Sequence, residues 1–227
     1  MIVSIHQPQY LPWLPYFSKI AKADVFVFLD GVQFQKNGLQ NRNQLKNNNG
    51  PFWLTVPVSA HLGDKIKDIK IANNNWEKKH IKSIYYNYQK SVFFSFFENN
   101  IQNILSEGHE YLVDLNIKII KTICSEIFEI KTKFYKQSDL EVGGKNSELI
   151  LNICKKLKAS RYMSGPNGKQ YLNHSEFQQN NIQIDYFKNT FPEEYNQLHK
   201  KIGFIKELSA LDFILCAGRD WKRYYTL

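Results

Sequence analysis

A continuous apolar run, Val25–Leu29, lies between Asp24 and Asp30 and constrains the fold more than any other segment. Its β-branched and aromatic residues favour a strand that is covered on both faces, as in a parallel sheet. Met1–Ile5 predicts an earlier buried strand of the same kind. Two parallel strands need a crossover connection, which is usually a helix. We therefore predict a βαβ unit at the start of the chain, with these two strands as parallel neighbours.

The segment between the two strands has room for a turn followed by a helix. Pro8, Pro12 and Pro15 exclude a regular helix or a central strand over residues 8–15. Pro15 is nevertheless compatible with the first turn of a helix. The apolar spacing that follows, at Tyr16, Phe17, Ile20 and Ala21, predicts a helix with one buried face.

The rest of the chain shows a change from strands to helices. A polar stretch, Gly31–Gly50, is too long to be a simple connecting loop in a compact domain. Further strands are predicted at Phe52–Val58, Ile66–Ile71, 160–164 and 182–187, and helices at Asn75–Lys90, Tyr111–Ile127, Asn146–Leu157 and Ser209–Cys216. The predicted fold class is α/β: an N-terminal Rossmann-like, mostly parallel sheet with a largely helical C-terminal part. We expect a single domain over 1–227, sheet-rich in 1–72 and mostly helical in 73–227.

The charge of the chain favours acidic small-molecule substrates over nucleic acid. The formal net charge is +9, yet the lysines are spread from Lys19 to Lys222, and the densest run, 65–82, is interrupted by apolar and acidic residues. No nucleic-acid-binding motif accompanies them. Positive charge of this kind suits phosphorylated substrates such as nucleotide sugars. We therefore expect no nucleic-acid partner.

The N-terminus predicts a cytoplasmic protein, and the cysteines form no recognised motif. The opening residues, Met1–His6, lack the charged start and long apolar run of a signal peptide, and no apolar run is long enough to span a bilayer. Cys124, Cys154 and Cys216 are far apart and form no C-x-x-C pair. Each is expected to be a small buried hydrophobe on a helix.

Two side chains at predicted strand ends are candidates for catalysis. His6 and Asp30 each follow a buried strand, and ligands of α/β folds bind beyond the carboxyl ends of strands. His6 suits acid or base chemistry, or alternatively a bond to the loop backbone. Asp30 suits a substrate amine or hydroxyl, or alternatively a turn cap. Asn41 and Arg42 offer an amide and a guanidinium fork for phosphate, and we expect all four residues to converge on one pocket.

Two further groups are candidates for substrate binding. Trp76, Lys79 and His80 share one face of a predicted helix, so the indole would stack on a ring while the cations hold phosphate. The alternative is a core tryptophan with solvated neighbours. Ser164 and Lys169 flank a Gly/Pro turn whose amides suit an anion, although an ordinary strand-to-helix turn fits equally.

Several catalytic motifs are absent from the sequence. G-x-S-x-G, H-E-x-x-H, G-x-G-x-x-G, a Walker loop and a tight D-x-D do not occur. The six histidines are widely spaced, so no metal site is predicted. No tightly bound cofactor is expected either.

Several blocks of the sequence resemble the WbqC-like protein family. The most specific is residues 6–20, which contains Gln7 and Tyr10 and reads HQPQYLPWLPYFSKI. Other matching blocks are 24–34, 40–43, 53–58, 67–71, 76–80, 162–165 and 168–172. Pro15 stands where the family usually has glycine, and Asn173 where it often has aspartate, which weakens any role for an acid at that position.

The resemblance implies a place in O-antigen, lipopolysaccharide and related surface-glycan biosynthesis. Together with the charge, it predicts a transferase that acylates or aminoacylates a nucleotide-linked amino sugar. His6 would be the acid or base and Asp30 would orient the substrate amine. The substrate-binding residues would be Gln7, Tyr10, Asn41, Arg42, Trp76, Lys79, His80, Ser164 and Lys169.

The acyl donor of such a transferase would be a thioester on coenzyme A or on an acyl carrier protein, whose acidic surface suits a basic partner. Two alternatives stay open from the sequence. One is a nucleotide-activating ligase or nucleotidylyl transferase. The other is a non-catalytic binding protein of the glycan machinery.

Overall fold

The computed structural model describes residues 1–72 and 74–227. In the described ranges the strands are β1 (Ile2–His6), β2 (Val25–Phe28), β3 (Arg42–Asn47), β4 (Gly50–Thr55), β5 (Val58–Ser59), β6 (Lys70–Ile71), β7 (Lys133–Lys136), β8 (Arg161–Ser164) and β9 (Gln183–Tyr186). The α-helices are α1 (Leu14–Ala21), α2 (Trp76–Tyr88), α3 (Phe94–Phe96), α4 (Gln102–Ser106), α5 (Leu112–Glu126), α6 (Asn146–Lys156), α7 (His174–Gln179) and α8 (Ala210–Ala217). A π-helical turn, Phe97–Ile101, joins α3 to α4.

A five-stranded parallel sheet lies at the centre, in the order β7-β2-β1-β8-β9. The strands β1 and β2 pair in parallel with Val3 opposite Val25 and His6 opposite Phe28. This pairing confirms the predicted βαβ unit, and the all-parallel sheet confirms the α/β class.

The two faces of the sheet carry separate hydrophobic cores. Val3 and Ile5 of β1, with Val25 and Val27 of β2, contribute to the core formed with α6 and α7. Phe26 and the other alternate residues of β2 face the larger core, which includes residues of α1, α5 and α8. Because helices cover both faces, the strands are apolar on both sides, as the unbroken run in β2 predicted.

The secondary structure differs from the sequence prediction at several places. The polar stretch before Gly50 contains β3, which pairs with β4 as an antiparallel hairpin outside the central sheet. The strand predicted at Ile66–Ile71 is wrong over most of its length, because Ile66–Asp68 is a 3-10 turn and only Lys70–Ile71 is extended. The edge strand β7 was missed because its two lysines conceal the apolar signal, a common feature of edge strands.

The C-terminal part of the chain supplies three strands of the central sheet. The strands predicted at 160–164 and 182–187 are confirmed as β8 and β9, and β7 is the additional one. The three cysteines are free and buried, in α5, α6 and α8, as predicted. Among the described residues, no helix combines the length and the apolar character that a bilayer crossing requires.

A buried carboxylate connects α8 to the rest of the larger core. Asp212 is fully buried and accepts hydrogen bonds from the hydroxyls of Tyr88 and Tyr195, each at 2.6 Å, and from Gln197 at 3.1 Å. Lys46, itself buried, donates from Nζ to Gln197 Oε1 at 3.0 Å. Burial raises the pKa of Asp212, while these hydrogen bonds favour its ionised form.

We predict that Asp212→Ala lowers the free energy of unfolding by about 3–5 kcal/mol, because it leaves several buried donors without an acceptor. Asp212→Asn should cost less, since its one carbonyl oxygen still accepts a bond. Urea denaturation of the two variants measures both effects. A loss below about 1 kcal/mol in Asp212→Ala would show that the network contributes little to stability.

Candidate functional site

A cleft opens at the end of β1, the central strand, from which the sheet extends in two directions. From β1 the sheet extends through β2 to β7 on one side and through β8 to β9 on the other. Ligands of open α/β sheets bind at such a switch point, beyond the carboxyl ends of the strands. A cavity of about 750 Å³ lies there. We call it the switch-point cleft; its lining includes His6, Gln7, Gln9, Tyr16, Lys19, Gln35, Gln40, Tyr162, Gly165, Gly168 and Phe187.

His6 ends β1 and presents a neutral imidazole to this cleft. Its Nδ1 lies 3.1 Å from the carbonyl oxygen of Gln7. A carbonyl only accepts, so Nδ1 carries the proton and Nε2 carries the lone pair. The ring also packs edge-on against Tyr16, with the ring centroids 5.0 Å apart. Burial, together with the nearby charge of Lys19, lowers the pKa of His6 to about 3, so the ring stays neutral at physiological pH.

Lys19 is a buried amine in the same cleft. The helix α1 buries this side chain to 4% exposure, and its Nζ donates to the carbonyl oxygen of Ile5 at 2.8 Å. No carboxylate of the described residues lies within ion-pairing distance of it. Burial lowers the pKa of Lys19 to about 7. Sequence reasoning missed this residue, although a lysine among Tyr16, Phe17 and Ile20 was a detectable anomaly in an apolar helix.

A chain of glutamines forms the floor of the cleft. Gln40 donates from Nε2 to Gln7 Oε1 at 2.8 Å, and its own Oε1 accepts from the backbone N–H of Gln35 at 2.8 Å. Gln9 Oε1 is buried and finds no donor among the described residues. An unpaired buried acceptor costs about 1–3 kcal/mol, so a ligand N–H or O–H would be bound favourably at this atom.

The turn after β8 forms the opposite wall. Ser164 is buried and donates from Oγ to the carbonyl oxygen of Gly165 at 3.0 Å. A Cβ atom on Gly168 would lie 1.9 Å from Ser164 Oγ, so the close approach of the turn to the strand requires glycine there. Lys169 is exposed, with Nζ 5.2 Å from the ring centroid of Tyr186. The hydroxyl of Ser164 therefore makes a hydrogen bond within its own turn, and its role in substrate binding stays a prediction.

The four residues expected to converge on one pocket are divided by the structure. The Asp30 carboxylate is buried and accepts from the N–H and the hydroxyl of Ser138, at 2.9 and 2.6 Å, which is a long-range structural contact and not the expected cap of its own turn. Asn41 and Arg42 line a second cleft of about 880 Å³ instead. The convergence prediction is therefore wrong, because Arg42 begins a separate hairpin and does not follow a strand of the central sheet.

We call this cavity the second cleft. It is lined by Gln33, Phe34, Gln35, Lys36, Asn37, Asn41, Arg42, Thr55, Pro57, Val58, Ala60, His61 and Leu62. The polar stretch that looked too long for a simple connection thus contributes walls to both cavities.

The aromatic group on α2 belongs to the core. Trp76 and His80 are buried, whereas Lys79 is exposed, and none of the three lines either cleft. Tyr10 donates from its hydroxyl to His80 Nδ1 at 2.8 Å, and His80 Nε2 donates to the carbonyl oxygen of Thr55 at 3.2 Å. Burial lowers the pKa of His80 to about 4, so this ring also stays neutral. These contacts favour the core alternative, since the Trp76 indole has too little exposed surface for ligand stacking.

The buried amine of Lys19 predicts a specific pH dependence of stability. Its pKa falls from 10.5 to about 7 on folding, so the unfolded chain binds more protons between those values and stability rises with pH there. From about pH 7 to 9 this one group should add about 2 kcal/mol to the free energy of unfolding. Urea denaturation of wild type and Lys19→Met at both pH values measures it, and the variant should lack the gain.

His6→Gln serves as the matched control for this measurement. The pKa of His6 falls from 6.5 to about 3, so its contribution to stability changes only in the acidic range between those values. The variant should therefore keep the wild-type gain between about pH 7 and 9. An equal gain in Lys19→Met would show that the amine is not buried in its uncharged form.

Comparisons with known proteins find similarity over nearly the whole chain. The model of the WbqC-like protein family matches residues 7–224. The Mycobacterium tuberculosis (strain ATCC 25618 / H37Rv) protein described as "Uncharacterized protein Rv1507c" is 32% identical over 228 residues, which cover 98% of this chain and 97% of the relative. No solved structure matches the chain. Since the family model matches nearly the whole chain, the protein belongs to the WbqC-like protein family.

Proposed function

We propose that the protein is a transferase of surface-polysaccharide biosynthesis that acylates or aminoacylates the amine of a nucleotide-linked amino sugar. The observation that carries this proposal is the neutral imidazole of His6, whose Nε2 has a lone pair available to a ligand in the switch-point cleft. An amine that attacks an acyl group must lose a proton, and a neutral imidazole is the usual acceptor.

The proposed reaction is aminolysis of a thioester. The sugar amine forms a C–N bond to the acyl carbon, and the C–S bond of the donor then breaks. His6 Nε2 accepts the proton that the attacking nitrogen loses and returns it to the departing thiolate, which leaves as a thiol. The low pKa of His6 keeps Nε2 unprotonated at physiological pH, and an anionic substrate bound beside the ring would raise this pKa towards the range of an effective general base.

The contents of the switch-point cleft suit an amino sugar that carries phosphate. Gln9 Oε1 is a buried acceptor for a sugar hydroxyl or amine N–H. Lys19 adds a buried amine that becomes cationic when an anion binds beside it, because a nearby negative charge raises the pKa of an ammonium group. The cavity of about 750 Å³ is within the range for ligands of this size.

The roles proposed for individual residues change with the geometry. His6 keeps the acid or base role and Gln7 keeps a place in the substrate site. Asp30 is not assigned the substrate amine, since Ser138 occupies its carboxylate. A structural role in the buried core is assigned instead to Tyr10, Trp76 and His80, since none of the three lines either cleft.

Ligand-induced stabilisation separates this proposal from its alternatives. A thermal-shift series on the purified protein should show stabilisation by a uridine-diphosphate amino sugar without ATP, and less by uridine diphosphate alone. Stabilisation that requires ATP and magnesium would favour a nucleotide-activating ligase or nucleotidylyl transferase. No response to any of these ligands would favour a non-catalytic binding protein.

We predict that His6→Ala lowers the rate of product formation by about 10²–10⁴-fold, because it removes the proton relay. Its melting temperature should stay within a few degrees of wild type. Mass spectrometry of the N-acylated sugar nucleotide measures the rate, with acetyl coenzyme A as the first donor. His174→Ala is the matched control, because that imidazole is exposed and lies outside both clefts. Full activity in His6→Ala, or its unfolding, would contradict the assignment.

A further inference from the structure

The second cleft has the electrostatic character of an anion site with an apolar wall. The side chains in its lining that carry or acquire charge are Lys36, Arg42 and His61, and no carboxylate is among the described residues that form it. Phe34 and Val58 contribute apolar surface to the same cavity. A ligand that is anionic at one end and less polar along its length would match both features.

Arg42 is held in place, and its buried Nε–H has no acceptor in the described part of the chain. Its Nη2 donates to the carbonyl oxygen of Asn37, and its guanidinium carbon lies 4.3 Å from the ring centroid of Trp53. The Nε atom is buried and has no acceptor among the described residues. A guanidinium fixed on two sides is preorganised for an oxyanion, and the buried Nε–H supplies a donor for it.

The two clefts adjoin at a single described residue. Gln35 lines both cavities, and its backbone N–H connects through Gln40 to Gln7 beside the imidazole of His6. A ligand anchored by an anionic end at Arg42 would have to extend past Gln35 to place a reactive group near His6. The ligand must therefore be elongated, with its anionic and reactive groups at opposite ends.

We propose that the second cleft binds the phosphate end of the acyl donor, a phosphopantetheine thioester whose arm passes Gln35 and delivers the acyl carbon to the switch-point cleft. This proposal rests on the proposed transferase function for the identity of the ligand. It assigns Arg42 to the donor and leaves the sugar nucleotide to the residues around His6. Coenzyme A and a carrier protein present the same phosphopantetheine group.

Calorimetric titration with coenzyme A and with free 4′-phosphopantetheine tests the site directly. Wild type should bind coenzyme A, and Arg42→Ala should raise the Kd by at least about tenfold through loss of the bidentate donor. Lys36→Glu changes an exposed side chain of the cleft rim and should raise the Kd several-fold without affecting the fold. Equal affinity for the two probes would indicate a carrier protein as the donor, and tighter binding of coenzyme A would indicate the free thioester.

Two control variants separate this site from the proposed function. Lys131→Glu makes the same charge change on an exposed lysine outside both clefts and should leave the Kd unchanged. His174→Ala, which changes an exposed imidazole outside both clefts, should also bind coenzyme A normally. Arg42-dependent binding without any acyl transfer would uphold the site and reject the function. Acyl transfer whose donor KM is unaffected by Arg42→Ala and Lys36→Glu, or no binding of either probe, would reject the site.

Discussion

The parallel pairing of β1 on both of its edges is the constraint on which the rest of the structure depends. Because β2 pairs on one side and β8 on the other, the chain departs from β1 in opposite directions and a crevice opens at the strand ends. Val3 and Ile5 are buried in the core formed with α6 and α7, so a one-residue shift of this strand would turn both away from that core and put at least one polar side chain in their place. His6, Gln7 and Gln9 occupy the crevice because they follow this strand directly.

The crevice is electrostatically unusual because it buries a basic amine without an acid to balance it. Removing Lys19 from water disfavours its charged form, and the carbonyl oxygen of Ile5 compensates for only part of the lost hydration. Perturbed basic groups of this kind cluster at functional sites, where a ligand restores the missing interaction. The Asp212 network, by contrast, satisfies its buried carboxylate with protein donors, which is the arrangement expected of a structural group.

The loop between β2 and β3 lines both cavities. Its glutamines bond to one another and to Gln7, which fixes the wall shared by the clefts. The hairpin β3–β4 then places Arg42 and the outer wall of the second cleft away from the central sheet. Under the proposed function, a donor arm that passes Gln35 would hold its acyl carbon beside the acceptor in a fixed geometry, which is a principal source of rate enhancement in group transfer.

The sequence by itself determined the α/β class, the parallel βαβ start, the main helices and the position of His6 at a strand end, because these follow from local periodicity and from the residues that flank each strand. Only the tertiary structure decided which polar groups share a cavity. Whether Asp30 faces a ligand or Ser138 depends on a partner 108 residues away. The burial of Lys19 depends likewise on packing between α1 and β1. Such contacts are set by the three-dimensional arrangement, and local sequence patterns do not identify the partner of a buried polar group.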